Sequence, residues 1–215
     1  MRIAGEKTQL LILSQWSRDK VDGIKVDGCG VQPQQQLKLL GVTFDRLLHF
    51  GGHAAEVRRK VMPRIAQLRK MTGRTWGLRE QQLRAVANGY IRGAAEYAAA
   101  AWLPAASCSH VEVMERITRE TARAITGCPR STPSAPLVAE AGLPPARLRR
   151  CVLATRIYCA ALSLPPEDPL RIVAERDIPQ RLTTTGWRAI GRRALAAAGV
   201  ADLPTEERLH ITLPP

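Results

Sequence analysis

The spacing of apolar residues changes once along this chain, and that change constrains the fold more than any other feature. Before residue 50 the apolar positions alternate or run in short blocks; after Phe50-Gly51-Gly52 they recur about every 3.6 residues. Ala54, Val57, Val61, Ile65 and Leu68 then share one arc of a helical wheel. Arg58, Arg59, Lys60, Arg69 and Lys70 lie off that arc, and Arg64 sits at its edge. Pro63 is expected to kink or divide this helix, and Gly73 to end it. Every strand signal falls in the first fifth of the chain. The expected fold is therefore mainly α, with a small N-terminal antiparallel β-sheet followed by a multi-helix bundle. Aromatic residues are only 4% of the chain although 45% is hydrophobic, so the core is aliphatic and rich in Ala, which favours helix.

Within the first fifth, residues 7–14 read as a strand with a buried centre and 15–22 as a polar loop. Residues 23–26 read as a short strand turned by Asp27-Gly28, a hairpin dipeptide. The stretch 31–36, with Pro33, reads as a connector. Leu39-Leu40-Gly41-Val42-Thr43-Phe44-Asp45 completes the sheet as a strand, with Lys38, Leu40, Val42 and Phe44 on one side and Leu39, Gly41 and Thr43 on the other. Gly41 inside a strand marks either a bulge or a place where another backbone approaches closely. Two or three such strands with one apolar face are marginal unless they pack on something else.

The rest of the chain divides at its Gly and Pro residues. A second helix is expected over 78–101, burying Leu83, Val86, Tyr90, Ile91, Ala94 and Ala98, with Pro104 stopping the chain soon after. A third is expected over 109–127, opened by the capping-box pattern Ser109-His110-Val111-Glu112 and closed by Gly127. Its apolar side holds Val113 or Met114, Ile117, Thr121 and Ile125. A short helix follows over 137–141, closed by Gly142. A longer one runs from 146 to about 164, with Leu148, Val152, Thr155, Ile157 and Cys159 around it. Further helices are expected over 168–175 and 186–198, and 203–215 reads as linker. The divisions expected are 1–50, 51–164 and 165–215.

A net charge of +13 and a pI near 10.4 make a polyanion the natural partner, nucleic acid before an anionic membrane surface. Nearly all of this basicity is Arg, and a GC-rich coding sequence raises Arg and Ala together; clustering of the charge is what favours nucleic acid. The five cysteines have no Cys-x-x-Cys spacing, which argues against a zinc site or a disulfide framework. His49 and His53 are four apart, but Gly51-Gly52 between them spoils a helical metal pair, so both read as ordinary residues. No apolar run is long enough to cross a membrane, and no signal peptide is evident. Trp76, Trp102 and Tyr90 read as packing aromatics, and the Arg pairs at 149–150 and 192–193 as solvated helix faces.

Taken in order, several of these pieces resemble one family. They are Gly5-Glu6-Lys7-Thr8 before an apolar strand, Leu37-Lys38-Leu39-Leu40-Gly41-Val42-Thr43-Phe44-Asp45, and Phe50-Gly51-Gly52-His53 leading into a basic helix. Further on come Thr75-Trp76-Gly77, Glu96-Tyr97, Ala101-Trp102, Ala124-Ile125-Thr126-Gly127, Arg130-Ser131-Thr132 and Glu140-Ala141-Gly142-Leu143-Pro144. The ordered set, over roughly residues 5–150, resembles the palm end, thumb and connection of non-LTR (LINE-type) retrotransposon reverse transcriptases, with a spacing most like the ingi-type elements of trypanosomatids. Where many relatives carry Tyr-Gly before the Trp, this chain has Tyr97-Ala98-Ala99-Ala100-Ala101-Trp102.

The resemblance implies roles for particular residues. Lys7 stands where the palm has a Lys near the incoming nucleotide. Leu40, Gly41 and Val42, with Lys38 beside them, match the primer grip. The helix from Ala54 onward matches the first thumb helix, with Arg58, Arg59, Lys60, Arg69 and Lys70 on phosphates and no base readout. The family binds two Mg ions through Asp residues, including an Asp-Asp pair. This chain has no Asp-Asp; Asp19, Asp22, Asp27, Asp45, Asp168, Asp177 and Asp202 are all isolated.

The expectation is accordingly a truncated reverse transcriptase that starts just after the catalytic motif, has no cofactor of its own and is inactive alone. It would hold RNA/DNA hybrid or duplex without sequence preference, and would lack the palm, fingers and RNase H domains of a complete element. Its expected location is intracellular, in the nucleus if the chain is expressed. The alternatives are a free-standing basic helical nucleic-acid-binding module and a protein-interaction module without catalysis. A fourth reading lays the basic helices on an anionic membrane.

Overall fold

The computed structural model describes residues 7–13, 23–73, 76–176 and 186–199. The stretches 15–22 and 203–215, and Gly5, Glu6 and Thr75 of the family pattern, lie outside the described residues. The described chain is mainly helical behind a small β region and forms two compact units. One unit contains the β region, Ala98 and all described residues before it, and Ala105–Ala146. The other contains Ala99–Pro104 and the described residues from Arg147 on.

In the first unit six short strands pair two by two: β1 (Leu10–Leu11), β2 (Ile24–Val26), β3 (Cys29–Val31), β4 (Pro33–Gln34), β5 (Gln36–Leu39) and β6 (Val42–Asp45). The Asp27-Gly28 turn closes β2 on β3 as expected, with both residues at positive φ. Two expectations need correction. The strand expected over 7–14 shrinks to Leu10–Leu11, half-buried, and pairs in parallel with Pro33–Gln34, which had read as connector. Pro33 has no N–H to give a ladder, so the pairing stays short. Residues 39–45 are likewise no single strand: Leu40 (φ 47°) and Gly41 (φ 83°) form a two-residue turn between β5 and β6. Positive φ at both positions is what a type I′ hairpin requires, and Leu is a rare occupant of it. The register pairs Leu39 with Val42 and Lys38 with Thr43. Lys38 therefore points away from the face shared by Leu37, Leu39, Val42 and Phe44.

Asp45 directs the chain from this hairpin into the first helix. Its carboxylate accepts the backbone N–H groups of Leu47 (3.1 Å), His49 (3.0 Å) and Phe50 (2.5 Å). Helix α1 (Gly51–Arg69) begins directly behind Phe50, whose ring meets Phe44 edge-on at 5.6 Å. The helix starts at Gly51-Gly52, so His53 lies inside it, buried, while His49 stays outside and the two share no helical face. The backbone N–H of Thr43 donates to His53 Nδ1 (3.3 Å). Burial pushes the His53 pKa down, and Lys60 and Lys38 push the same way against Glu56. Pro63 does not divide α1. It lies on the solvent side, where the carbonyl it leaves without a partner faces water. All five apolar residues of the expected arc are buried. Burying a Val, Leu or Ile is worth about 1.5–3 kcal/mol each, so packing holds this helix more than propensity does.

Helix α2 (Glu80–Val86) continues through a π-helical segment (Ala87–Arg92) into α3 (Gly93–Ala95) and breaks at Ala98 (φ 48°). Its buried residues in this unit are Leu83, Ala87, Ile91 and Ala95, one every fourth position. In a straight α-helix each such step drifts by about 40°. The wider π turn compensates the drift and keeps the stripe facing inward. Tyr90, expected inside, is exposed for the same reason, and Ala98, also expected inside, is exposed at the break. Tyr90 lies under the Arg64 guanidinium, 4.6 Å from the ring centre, and donates its hydroxyl to Gln67 (2.7 Å).

Helix α5 (Cys108–Thr126) follows the break and packs on α1. It starts before the expected Ser109 cap, behind Ser107, and ends at Gly127 as expected. His110 joins its first turn to the hairpin side: Nδ1 lies 2.7 Å from the His49 carbonyl oxygen, which can only accept. Helix α6 (Ser134–Glu140) closes the unit. Arg84 donates to the carbonyls of Glu140 and Ala141, each at 2.9 Å, and caps it.

The second unit holds α4 (Ala99–Trp102), α7 (Ala146–Leu162), α8 (Pro169–Glu175) and α9 (Trp187–Ala197). Trp102 is fully buried, whereas Trp76 in the first unit is 63% exposed and is no core residue. Leu148 is exposed; α7 turns Arg150, Leu153, Ala154, Tyr158 and Ala161 inward. One member of each Arg pair departs from the expected solvated face. Arg150 is buried and donates twice to the Pro104 carbonyl (3.0 and 3.3 Å). Arg192 donates to the Tyr158 hydroxyl and to the last carbonyls of α8.

Candidate nucleic-acid interface

The packing of α1 on α5 leaves a groove of about 440 Å³ at the surface of the first unit. From α1, Arg58, Met62 and Arg69 line it. From α5 come Arg116, Arg119, Glu120 and Arg123, with Ile117 at the floor, and Arg130 comes from the loop behind α5. Six guanidinium groups thus face one carboxylate across a small volume. The α5 contribution follows from helix geometry: Arg116, Arg119 and Arg123 are three and four residues apart and form one stripe. That stripe borders the buried side of α5, so packing the apolar faces of both helices also brings their basic edges together.

The charges are partly neutralised. Glu120 bridges the two helices, pairing with Arg69 at 2.5 Å and Arg123 at 3.1 Å. Glu112 pairs with Arg119 at 2.7 Å. Arg58 and Arg116 form no ion pair among the described residues. Burial pushes the Glu120 pKa up, but the Arg69 hydrogen bond and the charges of Arg69, Arg123 and Arg130 outweigh it, and the carboxyl stays below its ordinary value. The Nε–H of Arg123 is buried without an acceptor among the described residues. Such a surface can hold phosphate oxygens through charge-assisted hydrogen bonds.

Only part of the expected site converges here. Of the residues expected along this helix, Arg58 and Arg69 reach the groove; Arg59 and Lys60 on α1, and Lys70 just after it, are exposed outside its lining. Lys38 and Lys60 meet on Glu56, at 2.7 and 3.1 Å, and the Thr43 hydroxyl joins them at 3.1 Å. The Lys38 hydrogen bond, then that of Lys60, holds the Glu56 carboxyl down to about 2. Lys7 is exposed ahead of β1 and is not part of the groove. Leu40 is 83% exposed at the hairpin tip, Val42 is buried below it, and a close approach to Gly41 does exist. What approaches is the ring of Tyr97, 3.1 Å from where a Cβ would stand, with its hydroxyl donating to the Leu40 carbonyl (3.1 Å). Arg116, Arg119, Arg123 and Arg130 were missed at the sequence level. The three-and-four spacing beside the apolar stripe of α5 was the signal that could have found the first three; Arg130, in the loop, had none.

Fold and groove together define a mainly helical protein with a clustered basic surface. No protein-family model matches the chain, and no solved structure matches it. Over 110 residues it is 32% identical to the retrovirus-related Pol polyprotein from type-1 retrotransposable element R1 4 of Nasonia vitripennis. That stretch is 51% of this chain and 28% of the polyprotein, so the match covers under a third of the relative. The similarity supports a retrotransposon-related origin, from a Pol polyprotein, for this sequence. Among the described residues no helix is long and apolar enough to cross a membrane.

Proposed function

We propose that this chain is the palm-end, thumb and connection segment of a non-LTR retrotransposon reverse transcriptase, and that it holds nucleic acid without catalysing polymerisation by itself. The observation that carries the reading is the groove between α1 and α5, where six arginines from two helices and the following loop converge. The ligand is RNA/DNA hybrid or duplex, bound through its phosphates without sequence preference. The similarity to a Pol polyprotein supports the same assignment, and it carries no finer one among element types. Two-metal nucleotidyl transfer needs carboxylates held a few Å apart. The sequence has no adjacent Asp pair.

The test is binding by an Arg58→Glu/Arg116→Glu variant, chosen because neither side chain supports the fold through an ion pair. It should bind hybrid and duplex at least tenfold more weakly, by the same factor for every sequence, with a shallower salt dependence. Affinity equal to that of the unmodified protein removes the groove from the reading.

A further inference from the structure

We propose that Glu120 is a tethered counter-anion of the groove, holding the Arg69 and Arg123 guanidinium groups that a nucleic-acid phosphate takes over on binding. The inference rests on the nucleic-acid reading and adds its regulation: the groove is self-screened, and an incoming phosphate must displace a carboxylate.

The geometry is that of a stand-in for an oxyanion. One Glu120 oxygen meets Arg69 of α1 and the other meets Arg123 of α5, so a single carboxylate spans the groove between the helices. The two non-bridging oxygens of a phosphodiester offer the same fork. Arg123 is also incompletely satisfied by Glu120. Its Nη1 reaches the carboxylate, its Nη2 reaches the Arg130 carbonyl only at 3.4 Å, and its Nε–H has no acceptor among the described residues.

A purely structural role explains less. Helices α1 and α5 each bury an apolar stripe and already pack on one another. The Arg69 side chain is 45% exposed, and ion pairs at such exposure contribute little to stability. Losing Glu120 leaves no buried carboxylate waiting: the Arg69 guanidinium stays open to water and counter-ions, and Arg123, at 16% exposure, keeps its contact with the Arg130 carbonyl. Glu120 also explains how Arg58 and Arg116, which have no ion pair, can be the first contacts: a strand engages them, then competes for Arg69 and Arg123. Dense phosphate succeeds where an isolated weak anion does not.

The test compares unmodified chain, Glu120→Gln and Arg58→Glu/Arg116→Glu for binding to an RNA/DNA hybrid across a salt series. Glu120→Gln should bind about threefold tighter or more, and its plot of log affinity against log salt should steepen by about one, because no freed carboxylate then takes up a cation. The charge-reversal variant should bind more weakly. Glu120→Gln that binds equally or more weakly, beside a weakened charge-reversal variant, overturns the counter-anion role and leaves the groove standing. If neither variant changes binding, both readings fall. Carbon-13 titration of the Glu120 carboxyl in the unmodified protein gives a readout that needs no variant. Its pKa should rise when the hybrid is added, as Arg69 and Arg123 turn to phosphate, and an unchanged pKa in the saturated complex overturns the proposal.

Discussion

Replacing Glu56 by Gln should cost the fold a measurable, pH-limited part of its stability. Glu56 on α1 accepts from Lys38 on β5, Lys60 on α1 and Thr43 on β6, so one carboxylate ties the hairpin to the helix. Its carboxyl is held from an ordinary 4.5 down to about 2. Taken at face value, that difference corresponds to roughly 3 kcal/mol between the two protonation states. Lys38 and Lys60 are each about half exposed, at 53% and 52%, so water and salt screen them. Pairs of that exposure measure about 0.2–1 kcal/mol each, and the shared Thr43 bond adds a similar amount. The expected loss for Glu56→Gln is therefore about 1–2 kcal/mol at neutral pH. The sign follows from linkage: a depressed carboxyl stabilises the fold above its unfolded value and loses that contribution as pH falls through its folded value. The difference between unmodified protein and Glu56→Gln should be full at pH 7, shrink below about pH 4.5, and be nearly gone near pH 2. Urea denaturation at a series of pH values measures it. A difference that stays constant between pH 7 and pH 2 would show that the carboxylate charge is not what joins hairpin and helix.

Three further substitutions probe features that the sequence did not disclose. Leu40→Asn should stabilise the hairpin by about 0.5–1 kcal/mol, since Asn tolerates the left-handed φ of 47°, whereas Gly41→Ala should destabilise by 1 kcal/mol or more, about what strain and the Tyr97 contact together impose; thermal unfolding reads both. Arg192→Ala should lower stability by about 1–3 kcal/mol by freeing the last carbonyls of α8 and the Tyr158 hydroxyl, and amide exchange should show α8 opening first.

What the sequence disclosed was whatever depends on local period and local stops. The buried arc of α1, the Met114-Ile117-Thr121-Ile125 side of α5 and the stops at Gly127 and Gly142 all appear as read. The failures have physical causes. Leu40 fits an alternating strand so well that its turn was hidden, because Leu seldom takes positive φ. The stripe from Leu83 to Ala95 repeats every four residues, which a 3.6 period misassigns until the π segment is known. Arg150 and Arg192 look solvated in sequence, and no sequence signal marks Arg84, yet each finishes carbonyls brought to it only by tertiary packing. The groove was half legible for the same reason. Arg58 and Arg69 stand out on α1, but only packing reveals that α5 supplies the opposite wall.

The most direct test of the central claim is the affinity of the unmodified chain for an RNA/DNA hybrid as salt is raised. Between the two groove arginines without ion pairs and all six in the lining, the log–log slope should fall between about −2 and −5. A folded chain, shown by circular dichroism on the same sample, that binds with such a slope and without sequence preference bears the account out. A folded chain that does not bind the hybrid at low salt, or binds it with a slope near zero, contradicts it.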